Sequence, residues 1–238
     1  MAAASPPAGT SRPRLAVLAT AISMPYKRHM RTHTPFWHFV LGSLPVLALA
    51  AALPYAFGGE DALMQSVRIH KNTHEALRLT ANVITDWGNP ACYVTFLGIL
   101  VHGVRTKNTD LTRFALTYVA FQLLINLALL NITKMVLGRP RPMTGESVFH
   151  MLTLNPHYHS LPSGHTADFT TSALALAFWR RKAWLTLALG MALALMALTR
   201  IYLMQHYPSD VFFGWMYGAF TAWAIYAFGL KKETTAHE

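Results

Sequence analysis

Three short polar clusters carry residues that could do chemistry in this 238-residue chain. The first runs from Lys134 to Pro142 and holds Lys134, Arg139 and Arg141; the second runs from Ser160 to Ala167 and holds Ser163, Gly164 and His165. The third runs from Thr199 to Asp210 and holds Arg200, His206 and Asp210. Lys134, Arg139, Arg141 and Arg200 are permanent cations with few acids beside them, so their natural ligand is an anion. Arginine offers a planar fork that matches phosphate oxygens in pairs, and lysine acts as a point charge. Ser163-Gly164-His165 reads as a helix start, where free N–H groups and a partial positive charge suit phosphate. Gly164 lets the backbone come close to such a group. Of His165 and His206, one can attack phosphorus and the other can protonate the departing oxygen. Asp210, four residues after His206, is spaced to orient its ring. No carboxylate cluster is available to hold magnesium. The residues therefore read as a site for phosphoryl transfer through a phosphohistidine, with no metal and no cofactor.

The elements that must position these clusters are membrane helices. The chain is 53% hydrophobic and 13% charged, against about 25% charged in an average protein. Crossing a hydrocarbon core takes about 20 apolar residues of helix. Six stretches compete: residues 36–57, 90–104, 114–137, 163–179, 183–204 and 211–230. The second is short, and Asn89-Pro90 makes a good helix start, with Asn as cap and Pro in the first turn. The expected fold is all-α, a six-span transmembrane helix bundle with short amphipathic surface helices between spans one and two. Residues 34–232 form the membrane domain, residues 1–33 a partly disordered cytoplasmic tail, and residues 233–238 a second cytoplasmic tail. All three polar clusters then fall at the outer ends of spans, at one depth of one bundle. Ionisable residues at membrane depth are costly and point to function.

The formal net charge of +10 suggests nucleic acid only until it is placed on this topology. Arg68, Lys71, Arg78, Lys134, Arg139, Arg141 and Arg200 fall on one side, and the remaining Lys and Arg, the majority, on the other. The richer side is cytoplasmic by the positive-inside rule, which puts both termini inside and the clusters on the outer face. Glu60, Asp61, Glu75, Asp86, Glu146, Asp168 and Asp210 neutralise that outer face. The excess charge is an orientation signal, and no nucleic-acid partner is expected. A single cysteine, Cys92, rules out an intrachain disulfide, a redox pair and a multi-cysteine zinc site.

Several polar residues have plainer readings. Residues 60–85 read as one or two helices on the outer surface, and His70 and His74, four apart, as a solvated face rather than a metal site. His150, His157 and His159 read as loop residues. Asp168, three residues past His165, reads as a helix cap or as a partner for the helix dipole. Arg139 reads equally as a second phosphate contact or as an interfacial charge. Gly214-x3-Gly218 reads as close helix packing.

The ordered pattern Lys134-x6-Arg141-Pro142, Pro162-Ser163-Gly164-His165 and Arg200-x5-His206-x3-Asp210 resembles the type 2 phosphatidic acid phosphatase family in its bacterial membrane form. That superfamily also takes in the vanadium-dependent haloperoxidases. The resemblance implies His206 as nucleophile, Asp210 as its orienting acid and His165 as general acid. It also implies Lys134, Arg141, Arg200, Ser163 and the Gly164 N–H as the phosphate cradle. The family usually has Ser before the third-motif Arg, where this chain has Thr199 and keeps the hydroxyl.

The expected function is hydrolysis of a membrane-lipid phosphate in the lipid bilayer, in the inner membrane if the source is bacterial. Phosphatidic acid, phosphatidylglycerol phosphate, polyprenyl diphosphate and lipid A phosphates share the required headgroup. A lipid phosphotransferase using the same phosphohistidine is the alternative. A haloperoxidase and a non-enzymatic lipid or anion transporter are weaker ones, because the chain is nearly all membrane and two histidines with an acid exceed what binding needs. Nothing in the sequence sets an oligomeric state.

Overall fold

The computed structural model describes residues 34–230. Both tails expected to be cytoplasmic, and residues 231 and 232 of the expected membrane domain, lie outside the described residues. Among the described residues every regular element is a helix. Helix α1 (Pro35–Phe57) is followed by α2 (Glu60–Thr73) and α3 (Glu75–Arg105). Helix α4 (residues 109–137) combines Thr109–Phe121, a π-helical stretch Gln122–Leu129, and Leu130–Leu137. Helices α5 (Gly164–Arg180), α6 (Ala183–Tyr202) and α7 (Pro208–Leu230) complete the chain.

Four helices, Pro35–Phe57, Thr109–Thr144, Ala183–Tyr202 and Pro208–Leu230, are long and apolar enough to cross a membrane. Large apolar side chains are exposed along them, among them Leu44, Leu123, Leu127, Leu195 and Phe220. This is a membrane protein, because a surface of that kind has no place in water. The other two apolar stretches fall in α3 and α5. Helix α3 joins its apolar half to a polar first half, and α5 has 17 residues with many Thr and Ser, so neither matches a span in both length and composition.

The second stretch does not begin at Pro90. It belongs to a 31-residue helix from Glu75, about 46 Å long at 1.5 Å per residue. Pro90 lies inside it and forgoes one helical hydrogen bond, which membrane helices tolerate where neighbours re-satisfy the backbone. Asn89 caps nothing; its Nδ2 donates to the His165 carbonyl at 3.4 Å. Between the first two apolar stretches there is therefore one separate short helix, α2, and the second expected surface helix merges into α3.

Helix α5 is the hub. Its side chains from Thr166 to Ala175 are almost all buried, and it packs against α1, α6 and α7. Gly214 and Gly218 of α7 press on the Ser163 and Ala167 carbonyls, so the small-residue pattern serves close packing, as expected. The π-helical turns of α4 aim Gln122 and Asn126 at α5: Asn126 Nδ2 donates to Thr171 Oγ1 at 2.8 Å and to Gln122 Oε1 at 2.9 Å.

Candidate active site

Backbone bonds tie the three clusters together. Ser160 N donates to the Arg139 carbonyl at 3.0 Å, Ser163 N to the Asp210 carbonyl at 2.9 Å, and Met143 N to the Met204 carbonyl at 3.1 Å. The first cluster leaves α4 through Gly138, whose φ of +59° ends the helix in a left-handed turn that glycine adopts without strain. The second enters α5 through Ser163, and the third enters α7 through Tyr207 and Pro208.

His206 is 1% exposed. Its Nδ1 lies 2.7 Å from the Ser160 carbonyl. A carbonyl only accepts, so Nδ1 carries the proton and Nε2 keeps its lone pair. Asp210 Oδ2 stands farther away, 3.7 Å from Nδ1. That oxygen accepts from Ser160 Oγ at 2.5 Å and from the Tyr207 N–H at 2.8 Å. The Asp210 carboxylate thus holds the start of α7 and the residue whose carbonyl holds the ring. Burial is the largest influence on the ring and pushes its pKa down to about 4; Arg200 and Lys134 act the same way, and Asp210 acts against them.

Arg139 meets two carboxylates and a hydroxyl. Nη1 donates to Asp210 Oδ1 and to Ser209 Oγ, both at 2.7 Å, and Nη2 meets Glu60 Oε2 at 3.3 Å. The guanidinium lies over the Tyr207 ring, 4.3 Å from its centroid. Glu60, first residue of α2, also accepts from the Ser209 N–H and Oγ. Sequence reasoning missed Glu60 and Ser160. Ser160 opens the second cluster but acts through its backbone carbonyl and hydroxyl, and Glu60 meets a residue 149 positions away.

Lys134 and His165 line one cavity, and the charges of Arg200, Lys134 and Arg141 all act on the His165 ring. Arg141 Nη1 donates to Gln205 Oε1, and Arg200 Nη1 reaches Thr85 Oγ1 at 3.5 Å. The Nε atoms of Arg141 and Arg200 are buried without a hydrogen-bond partner among the described residues. Buried donors without acceptors are costly, and an anion seated among them would satisfy them. A Cβ placed on Gly164 would lie 3.1 Å from Lys134 Nζ, so the absence of a side chain lets the ammonium reach the start of α5.

Ser163 is fully buried. Its Oγ accepts from the Thr166 N–H at 3.4 Å and lies 2.9 Å from Thr166 Oγ1, which makes it the helix cap. Asp168 does not take that place; it turns toward Tyr93 and Gln122. Thr199 Oγ1 contacts Thr85 Oγ1 at 3.0 Å. His150 pairs with Glu146 at 3.2 Å and His159 Nε2 donates to the Thr153 carbonyl at 2.9 Å, so both brace their own loop. His70 and His74 stack at 3.9 Å. Among the described residues no three His, Cys, Asp or Glu side chains gather as a metal ion would need.

A cavity of about 530 Å³ opens from Lys134, Gly164 and His165 and continues between α3 and α4 past Phe96, Leu100, Val119 and Leu123. A charged head and an apolar channel fit a phosphate carried on a hydrocarbon chain.

Apolar helices with cations and histidines gathered at one end are the frame of a membrane protein with an anion-accepting site. The PAP2 superfamily matches residues 115–233, half of the chain, and the chain belongs to that superfamily. It is a PAP2-type membrane lipid phosphatase, a hydrolase of phosphoric ester bonds. An undecaprenyl-diphosphatase from Sulfolobus acidocaldarius is 24% identical over 166 residues, covering 68% of this chain and 77% of the relative. A transmembrane PAP2-type phosphatidylglycerolphosphate phosphatase from Bacillus subtilis shares the fold at a TM-score of 0.50 and 21% identity. Its crystal structure matches over 85% of this chain and 100% of its own.

Proposed function

We propose that the protein hydrolyses a membrane-lipid phosphate through a phosphohistidine on His206. Helices α3 and α5 join the four long apolar helices as spans, both termini are cytoplasmic, and the site faces the outer side. The carrying observation is the 2.7 Å contact of His206 Nδ1 with the Ser160 carbonyl, which leaves Nε2 as the free lone pair on a ring that feels the charges of Arg200 and Lys134.

Phosphate seats on Lys134, Arg141, Arg200 and the Gly164 N–H at the positive end of α5. Nε2 attacks phosphorus, the bond to the leaving oxygen breaks, and His165 gives that oxygen a proton. The spread of cations stabilises charge on the equatorial oxygens. Water then attacks phosphorus, its proton passes to His165, and the P–N electrons return to Nε2. Asp210 stabilises the positive charge on the ring through Ser160 and through its own field.

The relatives' names offer two substrate classes, a glycerolipid phosphate and a polyprenyl diphosphate. The test is phosphate release by purified protein, in EDTA, from phosphatidic acid, phosphatidylglycerol phosphate and undecaprenyl diphosphate. Release from at least one lipid that His206→Ala abolishes is the expected result. Release at the wild-type rate by His206→Ala, or loss of release in EDTA, overturns the mechanism.

A further inference from the structure

The cavity wall changes character between its head and its apolar end. Asp168 lies three residues beyond His165 on α5, about 4.5 Å along the axis at 1.5 Å per residue. Tyr93 of α3 donates its hydroxyl to Asp168 Oδ2 at 2.8 Å, and Gln122 of α4 donates Nε2 to Oδ1 at 3.0 Å. All three residues line the cavity, together with Lys134 and His165. They are held from behind. Asn126 Nδ2 donates to Gln122 Oε1 at 2.9 Å, and Thr221 Oγ1 donates to Asn126 Oδ1 at 3.2 Å. The π-helical turns of α4 bring Gln122 and Asn126 into this wall, and such turns recur at functional sites.

A packing role alone does not call for this chemistry. Each Asp168 oxygen accepts one hydrogen bond, and a carboxylate has about four lone-pair sites. The Tyr93 oxygen, having donated its hydrogen, also keeps lone pairs. What Asp168 and Tyr93 still offer the cavity is acceptor capacity. It lies in the wall of the cavity that Lys134, Gly164 and His165 also line, on the side open to a leaving group. A hydroxyl on the carbon next to the ester carbon reaches about that far. A second phosphate in the same place would meet a carboxylate.

We propose that Asp168, Tyr93 and Gln122 form a leaving-group subsite that accepts a hydrogen bond from a hydroxyl adjacent to the scissile phosphate ester and disfavours a second phosphate. The substrate class is a hydroxyl-bearing glycerol phosphate on a lipid rather than a polyprenyl diphosphate. This rests on the lipid phosphatase reading and narrows it.

Four probes test the subsite: lysophosphatidic acid, its 2-deoxy analogue with the same acyl chain, farnesyl diphosphate and phosphatidic acid. Wild-type kcat/KM is expected to favour lysophosphatidic acid over the deoxy analogue by tenfold or more, since a site built around a hydroxyl rejects the analogue lacking it. Asp168→Asn, the same size, should bring that ratio to within threefold of one and raise farnesyl diphosphate relative to lysophosphatidic acid. Tyr93→Phe should lower the first ratio partway, and serves if the Asp168 variant does not fold. A wild-type ratio near one, with phosphatidic acid still hydrolysed, overturns the subsite alone. So does an equal loss on all probes in both variants, the mark of a structural role. No release from any of these lipids by the wild type overturns the phosphatase reading and the subsite with it.

Discussion

Arg139 Nη1 and Asp210 Oδ1 stand 2.7 Å apart, with the Asp210 side chain fully buried and that of Arg139 17% exposed. This pair closes a chain of contacts around the candidate nucleophile. Arg139 holds Asp210, Asp210 holds Ser160 Oγ and the Tyr207 N–H, and the Ser160 carbonyl holds His206. Glu60 fastens the outer end by taking the second arm of Arg139 and the Ser209 N–H. Arg139 is therefore expected to position His206. Arg139→Ala leaves the Asp210 charge buried without its cation, which costs about 3 kcal/mol in comparable pairs. The expected outcome is a clear loss of thermal stability in detergent and a fall in kcat with KM changed less than threefold. A phosphate contact would instead raise KM. Arg139→Lys keeps the charge and loses the fork, and should fall between the two.

The three motifs, their order and their association with helix ends were legible in the residues, because cations, histidines and glycines declare themselves by type. The arrangement of Asp210 was legible only in part. Its spacing from His206 announces an acid near the ring, but the group that meets Nδ1 is the backbone carbonyl of Ser160, and a carbonyl carries no residue signature. Arg139 could not be placed because its partner Glu60 sits in another helix, far along the chain. Asn89-Pro90 resembles a helix start in isolation, and only packing against α5 shows Asn89 serving the His165 carbonyl in mid-helix. The apolar stretches in α3 and α5 gave weaker length signals than the other four. Helix α5 is enclosed by neighbours and tolerates Thr171 and Ser172, since Tyr118, Asn126 and backbone carbonyls satisfy their hydroxyls.

Gly164 sits at the first position of α5 with Lys134 Nζ close to where a side chain would begin. Gly164→Ala adds a methyl group 3.1 Å from that nitrogen and pushes the ammonium away from the helix start. Alanine is otherwise the better helix residue, so stability should hold or rise slightly. We expect kcat/KM to fall by about tenfold, equivalent to about 1.4 kcal/mol of transition-state stabilisation. Unchanged kinetics would mean that Lys134 does not need its approach to Gly164.

The His206 ring is expected to titrate near pH 4, well below the ordinary histidine value. It is then neutral, and its Nε2 available, across the range where a solvated histidine would already be charged. The sign for folding follows. Between about pH 6.5 and 4 the unfolded chain binds a proton that the folded site refuses, so stability falls as pH falls through that window. Histidine-labelled protein observed by NMR, with the signal assigned by its loss in His206→Ala, measures the ring directly. Titration near 6.5 would show that burial does not govern it.

A covalent intermediate predicts bound label. A phosphorus–nitrogen bond to imidazole is labile in acid and survives in alkali, unlike a phosphate ester on serine or threonine. Wild-type protein mixed with a radiolabelled lipid phosphate and quenched in alkali within one turnover should carry label that acid releases. His206→Ala should carry none, and its turnover should fall by several orders of magnitude, because it removes the attacking atom. His165→Ala should slow both formation and breakdown, since the same ring protonates the leaving oxygen and later takes the proton of water. Its residual rate should depend on the leaving group more steeply than that of the wild type, as expected once the general acid is gone. Label that persists on the His206 variant would move the nucleophile elsewhere in the site. Turnover by the wild type with no label at any time would favour direct attack by water, with His206 acting as a base.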